Sequence, residues 1–255
     1  WYSCFLFEID STKRTSGMKH KFLFILLFSL VLEGMVTTQA VAGDYVHQVN
    51  TLIGTKGTGL TSGYLYPGAT YPYGMVQFTP SYFSKRSGFV INQLSGGGCE
   101  HMGNFPTFPV KGKLKMSPDN ILNYRINVSE EKGHAGYYEA MVQEDIKAKL
   151  TVTERTGMAS YEYPADQQYG TIIIGGGISA TPIEQAAIVI TAPNKCEGYA
   201  EGGNFCGLRT PYKVYFVAEF DTDAFETGTW KPKMQNGISK RYRIRRRQNG
   251  IIIWV

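Results

Sequence analysis

The chain is poor in the residues from which most metal and redox sites are built, with four cysteines and four histidines in 255 residues. None of the cysteines stands in C-x-x-C spacing, which argues against a zinc knuckle or a thioredoxin-like site. Long apolar runs are missing as well. The longest, Phe22 to Leu32, is broken by Ser29 and falls short of the roughly 20 residues that a membrane-spanning helix needs. Gly54-Thr55-Lys56-Gly57-Thr58-Gly59 is glycine-rich, but it lacks phosphate-loop spacing and no helical pattern follows to supply a dipole, so a nucleotide site is excluded. Beyond the first 42 residues no stretch keeps a helical stripe of apolar residues over three turns. Acid is absent from residues 231–255, which carry eight Lys or Arg. The net charge of +5 therefore belongs mainly to that tail. The region between residues 43 and 230 is mildly acidic and gives no argument for nucleic acid.

What is present falls into four segments. Residues 1–17 match nothing around them and read as non-native upstream translation. Residues 18–42 have the form of a secretory signal: Lys19, His20 and Lys21, then the apolar run, then Ala40-Val41-Ala42 as a small-x-small cleavage site before Gly43. The expected localisation is export, to the periplasm or beyond the cell, with no stable membrane span. Residues 43–230 form the expected folded domain. Residues 231–255 change composition abruptly and read as a frame-shift product or truncated linker outside the fold, rather than as a site for nucleic acid or anionic membrane.

Strand signals dominate the domain. Ile146, Ala148, Leu150 and Val152 alternate with Lys147, Lys149, Thr151 and Thr153, the period of two expected of a strand with one buried face. Tyr137–Val142 and Tyr212–Asp221 repeat the pattern, and Lys111–Met116 alternates lysines with Gly112, Leu114 and Met116. Met75–Thr79, Gly88–Ile91, Met158–Tyr163, Thr171–Ile174 and Ala187–Thr191 continue the series. Many short strands separated by Gly and Pro turns predict an all-β, antiparallel sandwich. Cys196 and Cys206 flank a glycine-rich segment that reads as a loop. An oxidising compartment would allow them to close it as a disulfide; the sequence leaves that bridge open.

Two carboxylate couples, Glu130 with Glu131 and Glu144 with Asp145, are candidates for acid–base work. Adjacent residues on a strand point to opposite faces, so neither couple can flank one bond, and solvated turn charges are the plainer reading. Cys99-Glu100-His101 offers a thiol beside an imidazole. Sequence neighbours rarely make the in-line hydrogen bond that a nucleophile needs, and no third orienting group is evident. Asn127-Val128-Ser129 is a glycosylation sequon by pattern only.

The stretch from Val49 to Pro109 is the most informative. It mixes shaped turns with rings (Tyr64, Tyr66, Tyr71, Tyr73, Phe78) and polar groups (Gln77, Cys99, Glu100, His101). The rings can be core and the glycines turn residues, or the loops can hold a polar ligand with flat apolar faces, such as a sugar. Taken in order, V-N-T-L-I-G-T, Y-P-G-A-T-Y-P-Y-G-M-V-Q, L-S-G-G-G-C and G-Y-Y-E-A resemble the opening of family 92 glycoside hydrolases, the calcium-dependent exo-α-mannosidases. The likeness covers roughly residues 44–230 and the N-terminal β-sandwich domain alone. It implies a mutarotase-like supersandwich, cut off before an (α/α)6 domain that carries the acid, the base and most Ca2+ ligands. It implies mannose-containing glycans as substrate and the missing catalytic domain as partner. No catalytic residue and no metal ligand is expected in this chain. The same resemblance places the L-S-G-G-G-C loop at the wall of a mannose pocket. Gly97 would give close approach there, Cys99 would sit in the wall, and Gln77, Glu100 and His101 would meet hydroxyls. Tyr64, Tyr66 or Phe105 would stack on the sugar. E-H-M-G-N-F-P after the cysteine departs from the commoner family pattern and leaves linkage open. The competing expectation is a stand-alone carbohydrate-binding sandwich, which would display an aromatic platform to solvent.

Overall fold

Gly170-Thr171-Ile172-Ile173-Ile174-Gly175 is a strand with no wet face, and its surroundings explain the architecture. A computed structural model describes residues 45–55, 65–81, 88–93, 103–114, 126–175, 183–203, 207–230 and 250–254. Its strands are β1 (Ala69–Thr70), β2 (Gln77–Pro80), β3 (Phe89–Val90), β4 (Thr107–Lys111), β5 (Val128–His134), β6 (Tyr137–Val142), β7 (Ile146–Val152) and β8 (Gly157–Glu162). They continue with β9 (Gly170–Gly175), β10 (Ile183–Ala192), β11 (Lys195–Gly202), β12 (Tyr212–Glu219), β13 (Glu226–Trp230) and β14 (Gly250–Trp254).

They form three sheets. The largest runs β1-β2-β3-β4-β9-β14-β13, a second runs β5-β6-β7-β8, and a third runs β10-β11-β12. Every ladder between named strands is antiparallel. Ile173 points into a cluster with Phe89, Phe108, Tyr138, Ile146 and Leu150. Ile172 and Ile174 point the other way, into a cluster with Phe105, Ile183, Ile188, Cys196 and Ala200. The large sheet is thus covered on both faces, by β5–β8 on one and β10–β12 on the other. That is the expected all-β antiparallel sandwich in a three-layer form. A strand buried on both faces must be apolar on both, which is why β9 reads as a continuous run.

The covering sheet β5–β8 follows the period of two. Tyr138, Ala140 and Val142 on β6 and Ile146, Ala148 and Leu150 on β7 are buried, while the residues between them carry ion pairs such as Lys147 with Glu139. The tyrosine at the centre of this face, Tyr138, has its ring edge-on to Phe89. Burial, with the Glu131 carboxylate beside it, pushes its hydroxyl well above the ordinary phenol value.

Three expectations are corrected, and the state of Cys196, which the sequence leaves open, is given. Lys111–Met116 is not a strand as far as it is described: β4 ends at Lys111, and Gly112 takes a left-handed φ of 62° with its N–H on Tyr169 O. The lysine alternation there is a bend. The glycine-rich segment after Cys196 is, as far as Gly202, not a loop but part of β11, paired on both sides. Cys196 is a free, fully buried thiol, so no bridge to Cys206 is formed; Cys206 itself lies outside the described residues. Lastly, residues 231–255 are not all outside the fold. Gly250–Trp254 lies between β9 and β13 and pairs with both. A shift from basic to apolar composition within the tail is what admits it, since only I-I-I-W suits a central position in the sheet.

A proline in a central strand removes a ladder hydrogen bond and leaves a partner unmade. Ile252→Pro is expected to lower stability by about 1–3 kcal/mol. That amounts to a fall of several degrees in Tm for a domain of this size, read by differential scanning calorimetry. An unchanged Tm would mean that the tail contributes nothing to the fold.

Candidate functional site

The glycine-rich loop emerges between β3 and β4, and the described residues at its two ends are bound to each other. Asn92 Nδ2 donates to Asn104 Oδ1 at 2.9 Å, and the Asn104 N–H donates back to Asn92 Oδ1 at 2.7 Å. Ile91 N–H also reaches Asn104 O. This clamp ties Asn92 to Asn104, so the two feet of the glycine-rich stretch cannot part without breaking buried hydrogen bonds. Both asparagines are buried, Asn104 completely. Between them, Gln93 is 1% exposed, and neither atom of its carboxamide has a hydrogen-bond partner. Asn104 Nδ2 is unpartnered in the same way.

Gln77 belongs to this corner. As the first residue of β2 it donates its N–H to Ile91 O at 2.9 Å and bridges to Asn92. The backbone thus brings Gln77, Asn92, Gln93 and Asn104 to one corner at the foot of the loop, each with a carboxamide able to donate and accept. Gly97, Cys99, Glu100 and His101, the loop residues expected at the site, lie outside the described residues, as does Tyr64.

Tyr66 is placed elsewhere. In the β1–β2 ladder Thr70 faces Gln77 and Ala69 faces Phe78, and Tyr66 precedes Ala69, at the end away from Gln77. Its ring is 6% exposed. The chain runs tight against β2 here: a Cβ on Gly68 would meet Phe78 O at 2.1 Å, so only glycine fits. Phe105 is not available to stack on a sugar. It is buried, and its ring centroid lies 4.2 Å from that of Phe216 within the core.

The carboxylates have structural partners. Glu131 accepts from the Tyr138 hydroxyl at 3.0 Å, and Asp145 is paired with Lys111. Glu130 is exposed at a bulge in β5, with φ of 51°. Hydrogen bonding from the Tyr137 hydroxyl holds the Glu139 carboxyl below its ordinary value. Among the described residues no three of His, Cys, Asp and Glu gather as a metal ion would require. Burial pushes the Cys196 thiol up to about 12, which removes it as a nucleophile near neutral pH.

Gln93 and Asn104 fall within the glycine-rich stretch, but the sequence alone gives neither of them a role. The signal is there in the form of a carboxamide at each foot of the loop. Two outcomes test this geometry. Asn104→Ala leaves Asn92 Nδ2 buried without an acceptor and is expected to cost about 1–3 kcal/mol in urea denaturation. Native Cys196 is expected to resist thiol reagents at pH 8 and to react at an ordinary rate once the protein is unfolded. Rapid labelling of Cys196 in the native state, located by peptide mapping, would contradict the burial described.

Comparison with known proteins gives the context. The family model described as "Glycosyl hydrolase family 92 N-terminal domain" matches residues 48–254, beyond the residue-230 limit suggested by the sequence blocks and through β14. An "Uncharacterized secreted glycosidase" of Arthroderma benhamiae is 30% identical over 159 residues, 53% of this chain and 20% of that protein. Two solved structures share the fold. One is the GH92 family glycosyl hydrolase ccman5, at 20% identity with TM-score 0.62, covering 83% of this chain and 30% of that one. The other is a family GH92 inverting mannosidase of Bacteroides thetaiotaomicron, at 20% identity with TM-score 0.63, covering 82% and 29%. This chain thus spans about a fifth of the curated relative and under a third of either solved chain. With a family match over most of its length and a fold shared with two members, the chain belongs to glycosyl hydrolase family 92, as that family's N-terminal domain.

Proposed function

We propose that this chain is the pocket-completing N-terminal domain of an exported exo-acting α-mannosidase, which removes terminal α-linked mannose from glycans with inversion. The observation that carries the reading is the family match over residues 48–254. One structural relative is an inverting mannosidase, which supports the substrate and the stereochemistry. The relative described as a secreted glycosidase, together with the signal-like residues 18–42, supports export.

On this reading the chain contributes binding rather than proton transfer. Inversion needs two carboxyl groups about 6.5–9.5 Å apart, one to protonate the leaving oxygen and one to activate water. Of the candidate carboxylates, Glu131 and Asp145 are instead tied to Tyr138 and Lys111, and Glu130 and Glu144 stand exposed. As the family resemblance implies, the acid and base come from the domain that follows in the full enzyme. Ca2+, which would help to hold and distort the sugar, belongs there too. The carboxamide corner fixes the foot of the loop, so that Gly97, Cys99, Glu100 and His101 are presented from a rigid base. Gln77 lies at the same corner. Holding binding groups in place before the substrate arrives lowers the entropic cost of reaching the transition state.

The stand-alone binding module receives less support. Tyr199 and Tyr215 do form an outward pair on the β10–β12 sheet, with ring centroids 6.0 Å apart. However, the Lys213 ammonium sits over both rings, at 4.4 Å and 5.2 Å from their centroids. A sugar would have to displace that cation in order to stack.

The chain alone is expected to release no mannose from α-linked mannobiose, with or without calcium. Joined to a family 92 catalytic domain, it should give an active enzyme. In that enzyme, His101→Ala should lower kcat/KM by about 1–3 kcal/mol while Tm stays put, and Lys147→Ala on a distant wet face should change nothing. Wild-type kinetics for His101→Ala with a normal Tm would remove the loop from the pocket. Chelator-sensitive turnover by the isolated chain would overturn the division of labour.

A further inference from the structure

We propose that β12 is a self-association edge, through which two copies of this chain pair antiparallel about a twofold axis at Phe216. The three sheets have six edge strands among the described residues. Five carry features that discourage pairing. The first edge, β1, is two residues long, and β13 has Gly228 at its centre. Bulges interrupt β5 and β10. The remaining one, β8, is six residues long, begins with a glycine and points Met158, Ser160 and Glu162 outward, with a charge at its end. By contrast, β12 is eight residues long and pairs with β11 without a register shift. It contains no proline, and no described strand pairs with its other side.

The sequence of this edge, Lys213-Val214-Tyr215-Phe216-Val217-Ala218-Glu219, is complementary to its own reverse. Val214, Phe216 and Ala218 pack inward on the core, while Lys213, Tyr215, Val217 and Glu219 are exposed. A slip of one residue would turn the apolar set outward, so pairing must keep outward residues opposite outward ones. With the axis at Phe216, Lys213 faces the other copy's Glu219, and Tyr215 faces its Val217. Opposite charges and an aromatic beside a β-branched residue are both favourable cross-strand pairs. Within each copy Lys213 already pairs with Glu201 and Glu219 with Lys195, so the new contact would extend these pairs into a row of alternating charge. Moving the axis by one residue loses the charge match within the strand: centred on Tyr215, Lys213 meets Val217, and centred on Val217 it meets Asp221, past the end of β12. Tyr215 is 67% and Val217 62% exposed, so the centre of the edge is apolar and open. The twofold arrangement uses the same strand on both copies and closes at two.

Sedimentation velocity of the full chain over a dilution series tests this, and a reversible monomer–dimer equilibrium is expected. Val217→Lys puts a charge at the apolar centre and should weaken association roughly tenfold or more, with an unchanged Tm. Register is tested by cysteines. Tyr215→Cys combined with Val217→Cys should give a disulfide-linked dimer under mild oxidation. Neither single variant should, because residue 215 lies diagonal to its own copy, beyond the roughly 7 Å that a disulfide spans. A wild-type chain that stays monomeric at every concentration would overturn the proposal. So would a dimer untouched by Val217→Lys, or cross-linking by either single cysteine. If the edge gains hydrogen-exchange protection only when a catalytic domain is attached, it belongs to that domain and not to a second copy.

Discussion

Burial of the large sheet on both faces is the constraint on which the other features depend. Three consecutive isoleucines in β9 serve two cores, Ile173 one and Ile172 with Ile174 the other. The strand can therefore tolerate little polarity. The exception is Thr171, completely buried, whose hydroxyl donates to Gly112 O while its own carbonyl accepts from the Tyr163 hydroxyl. Next to β9 lies β4, with Phe108 facing one core and Phe105, just before the strand, in the other. Asn104 precedes Phe105 directly. The foot of the glycine-rich loop is thus attached to the most deeply buried part of the molecule, and Ile91 at its other foot packs against both clusters.

How far the fold can be read from sequence follows from how each strand meets water. Tyr137–Val142 is legible with its observed limits, and Ile146–Val152 within a wider span, because each has one wet and one dry face. Val128–His134 is not legible: its bulge between Ser129 and Lys132 breaks the alternation where Glu130 and Glu131 stand. Lys195–Gly202 resembles a loop for a different reason. Its inward residues are Cys196, Gly198, Ala200 and Gly202, too small to register as a hydrophobic period. They are small because their neighbours are large. A Cβ on Gly198 would meet Phe216 Cε1 at 2.8 Å and Ala187 O at 2.3 Å, so the glycine makes room for the ring that packs on Phe105. Small residues facing a large one across a ladder are a packing device that composition reads as a turn.

The tail misleads for a related reason. Eight basic residues before I-I-I-W give the whole segment a charged character, and charge runs ordinarily mark a solvated stretch. Strand β14 pairs with a strand far back along the chain, Gly250 opposite Gly175 and Trp254 opposite Thr171. No local pattern can show that the sheet has a place for it. The family match, which continues to residue 254, agrees with the pairing rather than with the composition.

At the site, the residue types are legible and their company is not. Gln77 stands out in the sequence as a hydrogen-bonding group among rings, and the structure sets it beside Asn92. The Asn92–Asn104 clamp depends on two residues 12 apart being returned to one point by the β3–β4 crossing, which nothing in a one-dimensional pattern specifies. Their burial also has a chemical consequence. A buried carboxamide with both atoms unpartnered, as in Gln93, is costly to keep, and apolar residues of similar size would fill the same space without that cost. Two of the carboxylates are drawn instead into pairs that hold strands together, Glu131 with Tyr138 and Asp145 with Lys111. Neutral carboxamides at the two feet of the loop and ionised groups on the ladders divide the work: one set donates and accepts without carrying charge, the other ties strand to strand. Carboxamides do not titrate near neutral pH, so the Asn92–Asn104 clamp keeps its hydrogen bonds whatever the charge state of the groups around it.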